Sequence, residues 1–114
     1  MSEVDELIAD LERGHAGTPW HGPSRASVLG DVSAEEALWT PPGGVHSIWE
    51  IVLHMTAWTG EVARRLLGGV ADYPAAGDWP AAPTLAKEAD WAHALAALND
   101  AHRDLVAAHG CRAP

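Results

Sequence analysis

Apolar residues recur at three- and four-residue intervals in three long stretches, and no stretch shows the alternation of a half-buried strand. In the first, Val4, Leu7, Ile8 and Leu11 mark one face of an amphipathic helix over 3–13. Ser2, with Asp5 three residues on, can cap its start, and Gly14, Gly17 and Pro19 end it. Ser24 is placed to cap a short helical segment through Leu29. Ser33-Ala34-Glu35-Glu36 is a capping box that opens another short turn. The run Thr40-Pro41-Pro42-Gly43-Gly44 then breaks the chain.

A second capping box, Ser47-Ile48-Trp49-Glu50, starts a long helix predicted from about Ile48 to Leu67, where Gly68-Gly69 stop it. At 100° per residue, Ile48, Ile51, Val52, Met55, Trp58, Val62 and Leu66 fall in one stripe predicted to be buried. Glu50, His54, Glu61 and Arg65 lie on the opposite side. Residues 72–83 read as a Pro/Ala/Gly linker anchored by Tyr73 and Trp79. Thr84 is expected to cap a third long helix running to about Ala108, with Trp91, Leu95, Leu98, His102, Leu105 and Val106 as its buried stripe. The pattern predicts an all-α fold of three long helices plus short helical segments. Between the first two, Thr18-Pro19-Trp20-His21-Gly22-Pro23-Ser24 reads as a stiff loop whose Trp20 packs over one end of the bundle.

A chain of 114 residues has room for one small domain. Sixteen acidic residues against seven basic ones give a net charge of −9, which repels the phosphates of nucleic acid and an anionic membrane surface alike. Neither is expected as a partner. The acidic N-terminus does not read as a secretory signal, and the most apolar window, Ile48 to Trp58, is too short to span a bilayer. A soluble, cytoplasmic protein is expected. The single cysteine, Cys111, leaves no intrachain disulfide to form. Six tryptophans and no phenylalanine put the aromatic bulk of the core on indoles.

Nucleophile elbows, phosphate-cradling glycine loops, zinc-helix motifs and paired zinc cysteines are absent, which leaves seven histidines as the candidate chemistry. Histidines on one helix share a tetrahedral ion only when three or four residues apart. His46 and His54 are eight apart and His102 and His109 seven, so neither pair chelates an ion locally. His54 sits at the edge of the second stripe, one turn after Glu50 and one before Trp58. That position suits either a ligand facing a bundle interior or a partly exposed histidine on a solvated face. Glu50 reads as the capping-box acid rather than a general base. His102 reads as a core histidine and His21 as a loop residue; His15, His93 and His109 read as surface residues.

The blocks Trp20-His21-Gly22-Pro23-Ser24, Val32-Ser33-Ala34-Glu35 and His46-Ser47-Ile48-Trp49-Glu50-Ile51-Val52-Leu53-His54-Met55-Thr56-Ala57-Trp58 resemble the DinB/YfiT-like superfamily of metalloenzymes. Arg64-Arg65-Leu66-Leu67-Gly68 and Gly77-Asp78-Trp79-Pro80 fit the same pattern, so the likeness covers nearly the whole chain. It implies an up-down-down-up four-helix bundle that binds a divalent metal through three histidines. One of these stands on the second long helix and corresponds to His54; the other two form a His-x-x-x-His pair on the fourth. Related activities include thiol-cofactor-dependent transferases and a mycothiol-dependent isomerase. This sequence contains no His-x-x-x-His.

Residues 1–114 are therefore expected to form one DinB-like helical domain, truncated at its C-terminus relative to the family. The expected function is that of a divalent-metal-dependent enzyme (zinc or nickel) of the thiol-dependent transferase or hydrolase type. His54 would be its metal residue in an incomplete site, and a small molecule or thiol its substrate. The competing class is a non-catalytic helical bundle acting as an interaction or stress-response protein. A three-helix version of a four-helix plan leaves apolar stripe uncovered, so a homodimer is also expected.

Overall fold

The computed structural model describes residues 3–15 and 24–110. These are all-helical, with no strand among them, in the order α1 (Glu3–His15), α2 (Arg25–Gly30), α3 (Ala34–Leu38), α4 (Ile48–Leu66) and α5 (Glu88–Gly110). The Trp20 loop up to Pro23 and Cys111 lie outside the described residues. No described helix is long and apolar enough to cross a membrane. The chain divides into two compact units, one up to Val32 and one from Ser33 onward.

In the first unit α1 packs on α2. Acidic Glu3, Asp5 and Glu6 sit in the first turn of α1 and Arg13 in its last, complementing the helix dipole at both ends. The helix runs two residues past the expected end, to His15. Leu7 and Leu11 of its apolar face remain exposed. His15, expected at the surface, is buried. Its Nδ1 accepts from Arg25 Nε at 2.9 Å and lies 2.6 Å from Arg25 Nη2. Arginine carries only donors, so this nitrogen holds the lone pair and the imidazole is neutral. Burial of the Arg25 guanidinium lowers its pKa. Ser24 caps α2 as expected, its hydroxyl accepting from the backbone N–H of Ser27.

The second unit is built on the α4–α5 pair, with α3 against both. Both capping boxes form. The Ser33 hydroxyl accepts from Glu36 N while the Glu36 carboxylate accepts from Ser33 N, and Ser47 and Glu50 repeat the arrangement. The core between the helices is Trp49, Val52 and Ala63 of α4 with Trp91, Ala94, Leu98, Ala101 and Ala108 of α5, closed by Ala34 and Ala37 of α3. Trp49 and Trp91 meet at 5.1 Å between ring centroids, tilted by 48°. The alanines let the two backbones come close, and the indoles fill what space remains.

Two further expectations differ from the structure. The buried face of α4 is rotated from the expected stripe: of that stripe Val52 is buried, whereas Ile48, Ile51 and Val62 are exposed. Trp49 outweighs them, because an indole buries more area than an isoleucine and has Trp91 to pack on. The third long helix begins at Glu88, not at Thr84. Leu85 is 63% exposed, so a turn at 84–87 would have no apolar face to bury. The Glu88 carboxylate instead accepts from Ala34 N at 2.9 Å, tying the start of α5 to the first turn of α3. The α5 stripe itself is close to expectation, with Trp91, Leu98 and His102 buried.

Ser47→Ala removes a cap that forms and should lower stability by about 1 kcal/mol. Thr84→Ala removes one that does not form and should leave the urea midpoint unchanged. Trp49→Ala, which empties half of the indole pair, should cost about 3–5 kcal/mol. Urea unfolding of the three variants measures all three effects.

Candidate functional site

The side of α4 that carries Glu50, His54, Glu61 and Arg65 is not simply solvated. Residues 70–79 run back along it from the C-terminal end of α4 towards its N-terminal end, and side chains of α4 fasten them at successive turns.

The first fastening is ionic. The Glu61 side chain is 2% exposed. It accepts from Arg64 Nε and Nη2 at 2.8 Å each, from Arg65 Nε at 2.6 Å and from the Asp72 backbone N–H at 3.2 Å. Spacings of three and four residues bring both arginines onto the carboxylate within one turn. The Arg64 and Arg65 hydrogen bonds hold the Glu61 pKa down to about 2, against an ordinary 4.5, and Glu61 in turn raises that of Arg64. Both arginines also reach the returning backbone: Arg64 Nη2 donates to the Val70 carbonyl, and Arg65 Nη2 to the Asp72 carbonyl at 2.9 Å.

One turn towards the N-terminus, Arg65 lies over the Trp58 ring at 5.8 Å, and Tyr73 meets the same indole at 5.9 Å. Trp58 Nε1 donates to Asp78 Oδ1 at 2.7 Å. Between these fastenings and the helix lies a cleft of about 460 Å³, lined by Thr56, Gly60, Glu61, Arg64, Tyr73 and Pro74 among others. That is the volume of a small-molecule site. Gly60 sits mid-helix, and a Cβ there would meet nothing within 4 Å.

His54 follows. Its Nδ1 lies 2.6 Å from the Asp78 carbonyl oxygen and 3.3 Å from Asp78 Oδ1. A carbonyl oxygen only accepts, so Nδ1 carries a proton; in the neutral form of the ring Nε2 then holds the lone pair. The ring is stacked on Trp79, with centroids 3.9 Å apart and planes 14° from parallel. Trp79 also stacks on His46, at 3.6 Å and 5°. His46 Nδ1 stands 3.5 Å from Glu50 Oε2, the outer limit of a hydrogen bond. The Glu50 pKa is lowered, first by the Ser47 backbone N–H of the capping box and in smaller part by His46. Glu50 therefore has the capping role expected of it.

His54 lies at the edge of the core with 29% of its side chain exposed, between the two positions the sequence left open. His46, eight residues away, stacks on the same Trp79 indole as His54. His102 is buried and His93 exposed, as expected; His21 lies outside the described residues. Sequence reasoning missed the Glu61–Arg64–Arg65 cluster, although its helical spacing was legible. It also gave Asp78 no role and Trp79 only that of an anchor.

A protein zinc site takes three or four ligands. Among the described residues no group of three His, Cys, Asp or Glu side chains could hold a metal ion. The donor set suits one ligand, His54 Nε2, whose ring is oriented by the Asp78 carbonyl as metal-bound imidazoles commonly are. It does not make a metal centre by itself.

Glu61 titrates lower in the fold than in the unfolded chain, so the unfolded state takes up the proton first as pH falls. Its contribution to stability is complete above pH 4.5 and is lost progressively towards pH 2. Glu61→Gln abolishes that part of the acid sensitivity. Between pH 5 and pH 3 the urea midpoint of the wild type should fall further than that of the variant.

Neither a curated protein nor a solved structure matches the chain. The family model of the DinB superfamily matches residues 24–109, which include α2 to α4, all but the last residue of α5, the 70–79 segment and both stacked histidines. The chain belongs to the DinB superfamily.

Proposed function

We propose that this chain is a divalent-metal-dependent enzyme of the DinB type, with His54 as its metal ligand and zinc or nickel as the ion. A transferase or hydrolase acting on a thiol or another small molecule is the reaction class that the family resemblance implies. The observation that carries the reading is the state of His54. Its Nδ1–H is committed to the Asp78 carbonyl, its ring is stacked on Trp79, and Nε2 of the neutral ring is the remaining donor. Orientation of a ligand before the ion arrives removes part of the entropic cost of binding it. The other ligands must come from outside the described residues of one chain.

One observation favours a second reading, a non-catalytic helical module. The contacts that orient His54 also hold residues 78–79 on α4, a structural task that needs no ion.

Zinc titration calorimetry on the wild type and His54→Phe separates the two. Phenylalanine keeps a ring to stack on Trp79 and has no nitrogen. The metal reading expects His54→Phe to lose about tenfold or more in zinc affinity while keeping a near-wild-type thermal midpoint. Equal zinc binding by the two proteins would refute it and leave the structural module.

A further inference from the structure

We propose that the cleft between α4 and residues 72–76 binds a small organic amine, with the ammonium group at the Asp72 carboxylate and the apolar body over Gly60. Binding of this kind needs no metal and is independent of the reading of His54.

The helix side of the cleft is open at its middle. Thr56, Gly60 and Arg64 follow one another at one-turn spacing along α4, and all three line the cleft. Glycine is among the least favourable residues in a helix interior, and a Cβ at Gly60 would meet nothing within 4 Å. Packing within the fold gives no reason for a glycine there, and the missing side chain deepens the cleft. Ala57 on the helix and Pro74 on the returning segment supply apolar walls. A volume of about 460 Å³ accepts a single-ring molecule with a short chain. The walls are set before any ligand arrives, because Glu61, Arg64 and Arg65 already fasten residues 70–72 to the helix.

The polar groups of the cleft select the class of ligand. Thr56 Oγ1 gives its proton to the Val52 carbonyl at 2.8 Å, so towards a ligand it can only accept. The charged residues that line the cleft are Glu61, Arg64 and Asp72. Glu61 and Arg64 are paired with each other, and Arg65, the second cation on Glu61, lies over Trp58 outside the lining. Asp72 is different. Its Oδ1 accepts from the Tyr73 backbone N–H at 2.8 Å, and its exposed side chain forms no ion pair among the described residues. The neighbouring Tyr73 ring also lines the cleft and is 70% exposed, offering the aromatic face that ammonium groups favour. A carboxylate, an aromatic face and an accepting hydroxyl suit a donor-bearing cation and repel an anion. The net charge of −9 draws cations to the chain as a whole.

The test is an NMR titration of the full-length protein in EDTA, following the Gly60 and Tyr73 amides. Three probes share one ring: tyramine, 4-ethylphenol without the charge, and 4-hydroxyphenylacetate with the charge reversed. Tyramine should shift both amides saturably at millimolar concentrations. 4-Ethylphenol should bind about threefold more weakly, the range of an exposed ion pair, and 4-hydroxyphenylacetate more weakly again. Asp72→Asn retains a carbonyl oxygen to accept from Tyr73 N–H and should weaken tyramine about threefold while leaving 4-ethylphenol unchanged. Gly60→Leu occupies the middle of the cleft and should abolish the tyramine response of Tyr73, with a thermal midpoint at or above that of the wild type. No saturable response to tyramine overturns the proposal. Equal tyramine affinity in Asp72→Asn, or wild-type binding by Gly60→Leu, overturns it as well. Tyramine affinity in His54→Phe should equal that of the wild type whatever that variant does to zinc, so either reading can fail while the other stands.

Discussion

The Glu61 carboxylate is the constraint from which the rest of the site follows. A carboxylate withdrawn from water must be matched by donors or it takes a proton. Arg64 and Arg65 supply the charge from the same helix, and the Asp72 amide completes the set. Because the arginines have donors to spare, they also take the Val70 and Asp72 carbonyls. The chain leaving α4 is thereby turned back along the helix it has just left. Asp78 and Trp79 reach His54 because residues 70–72 have already been held in place two and more turns away.

The core and the site use α4 in different ways. Trp49, Val52 and Ala63 face α5 through apolar packing, which tolerates some exchange of shape. Trp58, Glu61 and His54 face the returning segment through directional hydrogen bonds, which do not. The helix is thus buried along one edge by dispersion and along another by polar contacts. A third edge, with Ile48, Ile51 and Val62, stays exposed.

What could be read from the sequence followed the range of the interactions. The capping boxes at Ser33 and Ser47 were legible because each closes within four residues, and they set the starts of α3 and α4 correctly. Thr84 suggests a cap by residue type alone, with Lys87 rather than an acid three residues on. It does not start the helix because exposed Leu85 gives that turn no apolar face to bury. The helix α5 begins at Glu88, whose carboxylate accepts from Ala34 N, 54 residues away. The face of α4 was misassigned because Ile48, Trp49, Ile51, Val52 and Leu53 surround the helix with apolar groups. Only the position of Trp91 says which side is the core. His54 was legible as a candidate from its place beside the stripe. Its tautomer depends on the Asp78 carbonyl, a backbone atom, for which a side-chain pattern gives no sign.

The fastening of residues 70–79 by α4 side chains, rather than by a ladder of main-chain pairs, sets how this region can vary over time. A strand in a sheet cannot gain a residue without shifting its register along its whole length. Here the fixed points are Val70, Asp72 and Tyr73 at one end and Asp78 and Trp79 at the other, and the turn at 74–77 merely connects them. Lengthening a connection of this kind costs roughly 0.6 kcal/mol per doubling. Related chains are thus free to insert or delete residues in this turn, and so reshape the cleft beside it, while the Asp78–His54 and Trp79–His54 contacts keep their geometry.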